Sequence, residues 1–401
     1  MANIIVIKGA GRAFCAGGDV AALALDNKNG PEGQQRSKDY FALEYKLDHL
    51  IATSPKPYVA FIDGITMGGG VGLSVHAPFR IATEKTVFAM PETTIGFFPD
   101  VGASFFLPRM DGRLGSYLAL TSEQLKGVNV FYAGIATHYI DSSSLPDLEA
   151  RLAELNFKDY ATLTERLSII NETIEEFTTG LPHDQPIQIS GDIRTSIDYC
   201  FQSAHNIHDI LGALEDFQNN NESPAEVKEW AKKTEDTIRK RSPLSVRVAL
   251  KQLDAGRQWG IAKTFQHEQH IASKFMEHPD FIEGVTSLLV NKPKTDPKWK
   301  LATFNDVTDE VVNDFFAENP SELQLLREGP DANYRDYPHA WIGLPRQSEV
   351  EAYVRDKSVR SKEQVLEHFM YLKKNKLGVR EKVNEILERK TVMDDNRLIW
   401  Q

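Results

Sequence analysis

Cysteine is scarce in this chain of 401 residues, which carries only Cys15 and Cys200. Two thiols imply no disulfide framework, and a reducing compartment is the simple reading. Long apolar runs are missing as well: no stretch approaches the roughly 20 apolar residues that a membrane span needs. Positive charge is in deficit, with 46 Lys and Arg against 57 Asp and Glu and a formal net charge of −11. That balance argues against nucleic acid as a bulk electrostatic partner, while leaving room for a local basic patch. There is no internal repeat and no low-complexity tract. His76 and His138 lack the spacing of metal ligands, so no metal is expected. Met1-Ala2 lead straight into the apolar run Asn3 to Ile7, with neither a signal peptide nor an Arg/Ser-rich transit segment.

What is present reads as an ordinary globular protein, 41% hydrophobic and 26% charged. Its length allows one large domain with an addition, or two domains. Ile4 to Ile7 is a short β-branched run of buried-strand type. It delivers the chain to Ala16-Gly17-Gly18-Asp19, a strand-to-helix turn in which Asp19 is placed to cap the next helix. These glycines either only form a turn or bring a backbone amide to a ligand. A polar loop follows over Asn27 to Gln34, then a mainly helical pattern from Arg36 to Ile51. Glu44 lies within it and, on the sequence alone, reads as a solvated helix glutamate. Pro55 and Pro57 end the helix.

The stretch from Tyr58 to Gly102 concentrates the candidate chemistry. The strand Tyr58 to Ile62 breaks into Gly68-Gly69-Gly70 and an apolar helix over Val71 to Val75. Two short strands, Phe79 to Ala82 and Thr86 to Ala89, lead to Met90-Pro91-Glu92 and Phe97-Phe98-Pro99-Asp100. A carboxylate in such apolar, proline-stiffened surroundings is costly without a task or a partner. Burial would raise its pKa and preorganised donors would oppose that. Helices are expected over Gly112 to Leu120 and Ser122 to Leu125. Cys15, beside the glycine turn, reads as a packed thiol rather than a nucleophile.

Beyond about residue 144 helix signals dominate. Ser223-Pro224-Ala225-Glu226 has the form of a capping box with proline at the first helical position, and Ser242-Pro243 starts another helix. Ser361 with Gln364 reads as a further capping box. Residues 351 to 401 hold 12 Lys and Arg against 9 Asp and Glu, so this tail is basic while the remainder is acidic. It is either a helix packed on the domain or a partner-binding appendage.

Taken in order, Ala16 to Asp19, Gly64-Ile65-Thr66-Met67-Gly68-Gly69-Gly70-Val71-Gly72-Leu73, Met90 to Thr93 and Gly96 to Gly102 resemble the crotonase (enoyl-CoA hydratase/isomerase) superfamily. The branch they resemble most is that of the 3-hydroxyisobutyryl-CoA hydrolases. His278 to Val285 and Asp296 to Lys300 resemble the C-terminal segment of that branch. The tail, with Gly343-Leu344-Pro345, is similar to the extension of fungal homologues.

The resemblance implies an α/β fold, a crotonase-like ββα spiral with a helical C-terminal region, and a segment of further N-terminal units ahead of Ile4. It divides the chain into a crotonase core at 1–144, a helical part of the same domain at 145–300 and a helical extension at 301–401. It implies an acyl-CoA substrate, with coenzyme A as part of that substrate and no separate cofactor. The N–H groups of Gly18 and Gly69 would form an oxyanion hole, Glu92 and Asp100 would be catalytic, and Glu44, Gly69, Glu92 and Asp100 would contact substrate. Hydratases of this superfamily place a glutamate at the position matching Gly72. Its absence favours thioester hydrolysis over an enoyl-CoA hydratase or isomerase activity. The resemblance also implies a mitochondrial location and allows a homo-oligomer. A second reading, by resemblance of the tail, is a crotonase-fold subunit of the mitochondrial ribosomal small subunit, with no membrane partner and no direct nucleic-acid contact required.

Overall fold

The structure, a computed structural model, describes residues 3–182, 184–202, 206–317, 323–356, 359, 361–395 and 397–401; Met1 and Ala2 lie outside them. Strands come in pairs, each pair followed by helix. β1 (Ile5–Lys8) and β2 (Ala13–Cys15) lead to α1 (Val20–Asn27) and α2 (Pro31–Ala52), and β3 (Tyr58–Ile62) and β4 (Ile65–Met67) lead to α3 (Gly69–Val75). β5 (Phe79–Ala82), β6 (Val87–Ala89), β7 (Leu125–Lys126) and β8 (His138–Tyr139) complete the two sheets. One sheet has the order β1-β3-β5-β8 and the other β2-β4-β6-β7. In the first three pairs the first strand joins one sheet and the second joins the other, always in parallel; β7 then pairs antiparallel with β6, and β8, beyond a further helix, pairs parallel with β5. This is the ββα spiral that the sequence implies.

β3 explains why the first sheet lies inside. All five of its residues are buried, as a strand covered on both faces requires. Val59 and Phe61 pack with Phe79 and Ile81 of β5 beneath Leu148, Leu152, Leu167 and Ile170 of the helices Leu145–Ala153 and Leu163–Glu175. On the other side a continuous apolar cluster runs from Phe14 and Phe41 through Phe98 and Phe275 to Phe369 and Val383, so it joins the spiral, the helical region and the tail. The helix Ile261–Glu277 lies along α2, with Phe265 against the rings of Tyr45 and His49. No helix among the described residues is long and apolar enough to cross a membrane.

Several local expectations need correction. The polar loop expected over Asn27 to Gln34 shrinks to three residues, because Asn27 still belongs to α1 and Pro31 starts α2 at its first turn, where its fixed φ is preorganised. Ser122 to Leu125 is not helical. Ser122 takes a left-handed φ of 57° that ends the helix Leu114–Thr121, and Leu125 pairs in β7. The helix Ala225–Arg239 starts one residue later than expected, with Pro224 rather than Ser223 at its N-cap and no side-chain capping bond. Ser242 and Ser361 do cap their helices, accepting from Ser245 N and Gln364 N. The extension is not wholly helical: after Val379–Lys390 it ends in an antiparallel hairpin of β9 (Thr391–Asp394) and β10 (Arg397–Trp400). Asp395, at a φ of 40°, supports the turn, a geometry aspartate tolerates.

Candidate active site

Two glycine turns meet at the head of the spiral. β2 leads into Gly17 at a φ of 96° and β4 into Gly68 at 52°, left-handed values that glycine adopts without strain. A Cβ on Gly17 would stand 3.4 Å from Gly69 N, so the turns abut. Asp19 caps α1 as expected, its Oδ1 accepting from Ala22 N at 3.0 Å.

One face of α2 covers these turns. Tyr40, Glu44 and Asp48 recur every four residues and so line up along the helix. A methyl group on Gly18 would overlap the Tyr40 hydroxyl and one on Gly69 would overlap Glu44 Oε1; one on Gly72 would lie 2.5 Å from Asp48 Oδ2. The first two of these glycines are the expected oxyanion donors. Glu44 is therefore not the solvated helix glutamate that its local pattern suggests. It is half-buried over Gly69, and burial pushes its pKa up to about 7 against a hydrogen bond from Tyr40.

The carboxylates sit beneath. Glu92 opens the short 3-10 turn Glu92–Ile95, is 4% exposed, and has no hydrogen-bond partner on either carboxyl oxygen among the described residues. A methyl on Gly68 would lie 3.6 Å from Glu92 Oε1, so this carboxyl faces the glycine turns. Burial first, then the charges of Glu44 and Glu268, raise its pKa to about 8. Asp100 is equally enclosed and accepts a hydrogen bond from the Tyr45 hydroxyl at 2.7 Å. Burial and the neighbouring Glu44 and Glu92 carboxyls push it well up. The five residues singled out from the sequence, Gly18, Glu44, Gly69, Glu92 and Asp100, thus come together in one place.

The turn after Asp100 is held from a distance. Val101 takes a φ of 54°, which is strained for a β-branched residue. His76 Nε2 lies 2.9 Å from Val101 O. Glu268 accepts from Gly102 N at 2.6 Å, Ser104 N at 2.9 Å and the Ser104 hydroxyl at 2.6 Å. Sequence reading missed Tyr40, Tyr45, Asp48 and Glu268. Tyr40 and Asp48 carry a signal, their four-residue spacing from Glu44, whereas Tyr45 reads only as part of the helix's apolar pattern and Glu268, 164 residues from Ser104, carries none. His76 and His138 serve structural contacts, the latter 3.0 Å from Glu175 Oε1.

A parallel two-sheet spiral with paired glycine turns over enclosed carboxyls is the crotonase type of fold. The chain belongs to the enoyl-CoA hydratase/isomerase family, which it matches over residues 1–316. It is 54% identical over 396 residues to the small ribosomal subunit protein mS47 of Neurospora crassa, covering 98% of this chain and 77% of that protein. It is 45% identical over 314 residues to the mitochondrial 3-hydroxyisobutyryl-CoA hydrolase of Rattus norvegicus, covering 78% of this chain and 76% of the hydrolase. Among solved structures, a carnitinyl-CoA dehydratase from Mycobacterium thermoresistibile aligns with a TM-score of 0.67 at 31% identity, over 81% of this chain and 86% of that one.

Proposed function

We propose that this protein hydrolyses the thioester of 3-hydroxyisobutyryl-CoA in mitochondria. The observation that carries the reading is Glu92, an enclosed carboxyl with both oxygens unpartnered among the described residues, facing the Gly17–Gly18 and Gly68–Gly69 turns. The relatives named as this hydrolase support the substrate. In the reaction the thioester oxygen accepts from the N–H groups of Gly18 and Gly69, which stabilise the charge that develops there. Glu92, once ionised, either takes a proton from the water that attacks the carbonyl carbon or attacks that carbon itself. The C–S bond breaks, coenzyme A leaves as a thiol, and the oxygen of water ends in the carboxylic acid. Asp100, held by Tyr45, orients or passes the proton. Gly72 offers no side chain for the hydratase alternative.

Thiol release from 3-hydroxyisobutyryl-CoA tests this. The wild type should turn over and Glu92→Gln should lose about 100-fold or more. Equal rates in the two, or none from the folded wild type, would sink the assignment.

A second reading rests on a different observation. The similarity to the Neurospora protein runs through the tail, while the match to the rat hydrolase spans 314 residues. It supports association with a small ribosomal subunit, which leaves the carboxyls free to act and so is compatible with catalysis. Co-sedimentation of the full chain with small ribosomal subunits supports it, and a chain that stays at the top of the gradient excludes it.

A further inference from the structure

One carboxyl of the site has no part in the reaction above. Asp48 is fully buried, and neither of its oxygens finds a hydrogen-bond partner among the described residues. A polar group left so costs free energy unless something pairs with it when the protein works. Its place is defined by Gly72: a Cβ there would lie 2.5 Å from Asp48 Oδ2 and 2.8 Å from Cγ and Oδ1. The Asp48 carboxyl therefore fills the space that a side chain on residue 72 would take. Gly72 is three residues beyond Gly69 along α3, about 4.5 Å of helix rise.

The exposure pattern orients a ligand. Gly18 is exposed and Gly69 and Glu44 are half-buried, whereas Glu92, Asp100 and Asp48 are enclosed. A thioester held by the Gly18 and Gly69 amides thus leads its coenzyme A outward and its short acyl group inward, toward the level of Gly72. Val71 and Val75 of α3 are buried along the same helix, and the nearby polar groups that act on Asp48, the carboxyls of Glu44, Asp100 and Glu268, are all acidic. An acyl end of hydrocarbon alone leaves Asp48 unpaired. An acyl end with a hydroxyl two carbons beyond the carbonyl carbon supplies the missing partner. Burial, then the Glu44 and Asp100 charges, push the Asp48 pKa well up, which favours the protonated carboxyl, a group with both a donor and an acceptor.

We propose that Asp48 is a specificity-determining residue whose carboxyl pairs with the hydroxyl of a hydroxyacyl thioester and so selects it over the plain acyl analogue. The proposal rests on the thioester-hydrolase reading for the direction of the acyl group. The test measures kcat/KM for thiol release from 3-hydroxyisobutyryl-CoA and from isobutyryl-CoA by the wild type, Asp48→Ala and Asp48→Asn. The wild type should prefer the hydroxylated substrate. Asp48→Ala should narrow that preference about tenfold or more, and Asp48→Asn, which still hydrogen-bonds, should restore part of it. Parallel losses on both substrates with an unchanged ratio overturn the proposal and leave the hydrolase reading intact.

Thermal stabilisation by the two thioesters supplies a readout without turnover. If the wild type releases no thiol, the hydrolase reading falls. A larger stabilisation by the hydroxylated thioester, abolished in Asp48→Ala, still upholds the role of Asp48. Equal stabilisation by both, or by neither, overturns it.

Discussion

Glu92 shows how burial sets two pH dependences of opposite sense. The ordinary value of its carboxyl is 4.5 and the folded protein holds it at about 8, so the native state binds a proton that the unfolded chain releases. The stability this proton contributes is complete below about pH 4.5 and is lost as pH climbs through about 8. Glu268, held at about 7, adds to the loss in the same direction, as do Asp48 and Asp100. Denaturant unfolding should therefore show stability falling between about pH 5 and about pH 8.5, with a shallower fall for Glu92→Gln. A slope identical in the two proteins would remove Glu92 from the account. Activity runs the other way, because the reaction needs the ionised carboxylate. A kcat/KM profile rising with pH, with its inflection near 8, is the expected result for the wild type. A flat profile across that range would mean that Glu92 is already ionised when free.

At the scale of elements, the short turn from Asp100 to Ser104 depends on a helix remote in sequence. Glu268 of Ile261–Glu277 pairs with two backbone amides and a hydroxyl there and so holds Val101 in its left-handed conformation. Glu268→Ala would leave those donors unpaired in a buried place, costing about 3 kcal/mol in chemical unfolding. It should also lower kcat more than it raises KM, because Asp100 moves while the glycine turns stay in place. A variant that loses stability but keeps full kcat would detach Asp100 from this support. Such an arrangement explains which parts could be read from the sequence. The glycine turns and the carboxyls at Glu92 and Asp100 announce themselves, because glycine, proline and charge are conspicuous in an apolar run. The line Tyr40, Glu44, Asp48 was open to view as a four-residue repeat, but nothing local says which face of α2 turns inward. Polar residues on a long helix face water by default, and only the packing of α2 over Gly18, Gly69 and Gly72 reverses that. The helix start at Ala225 and the hairpin at Thr391 were misplaced or missed for a different reason. Capping patterns and short alternating runs are weak signals that neighbouring contacts override.

For the whole molecule, the basic tail is first a structural partner of its own acidic core. Lys374 pairs with Glu172, Lys376 with Glu175, Lys382 with Asp111, and Arg389 and Lys390 with Asp198. Lys376 is nearly enclosed, and burial of Glu175 is outweighed by His138 and Lys376, which hold its carboxyl at about 2. Breaking such a pair strands a charge in a poorly hydrated place, so Lys376→Ala should cost about 3 kcal/mol. Earlier in the extension, Tyr337 donates to Ala77 O at 2.6 Å and Tyr334 to Ala52 O at 3.3 Å, which ties this part to the spiral as well. Deleting residues 351–401 would therefore remove Val365, Phe369 and Val383, uncover the apolar residues they pack against and leave Glu175, Asp111 and Asp198 without these cations. The truncated chain should unfold at lower denaturant, and its failure to co-sediment with ribosomal subunits would report misfolding as readily as a lost contact. Outward-facing residues separate the two. Tyr371 is 87% exposed and Leu372 54% exposed on the helix Lys362–Leu372, so Tyr371→Ser with Leu372→Ser should leave the unfolding midpoint within about 0.5 kcal/mol of wild type. If the tail docks through this helix, the double variant should lose co-sedimentation while keeping thiol release. Retention of co-sedimentation with an unchanged fold would move the docking surface away from this face of the tail.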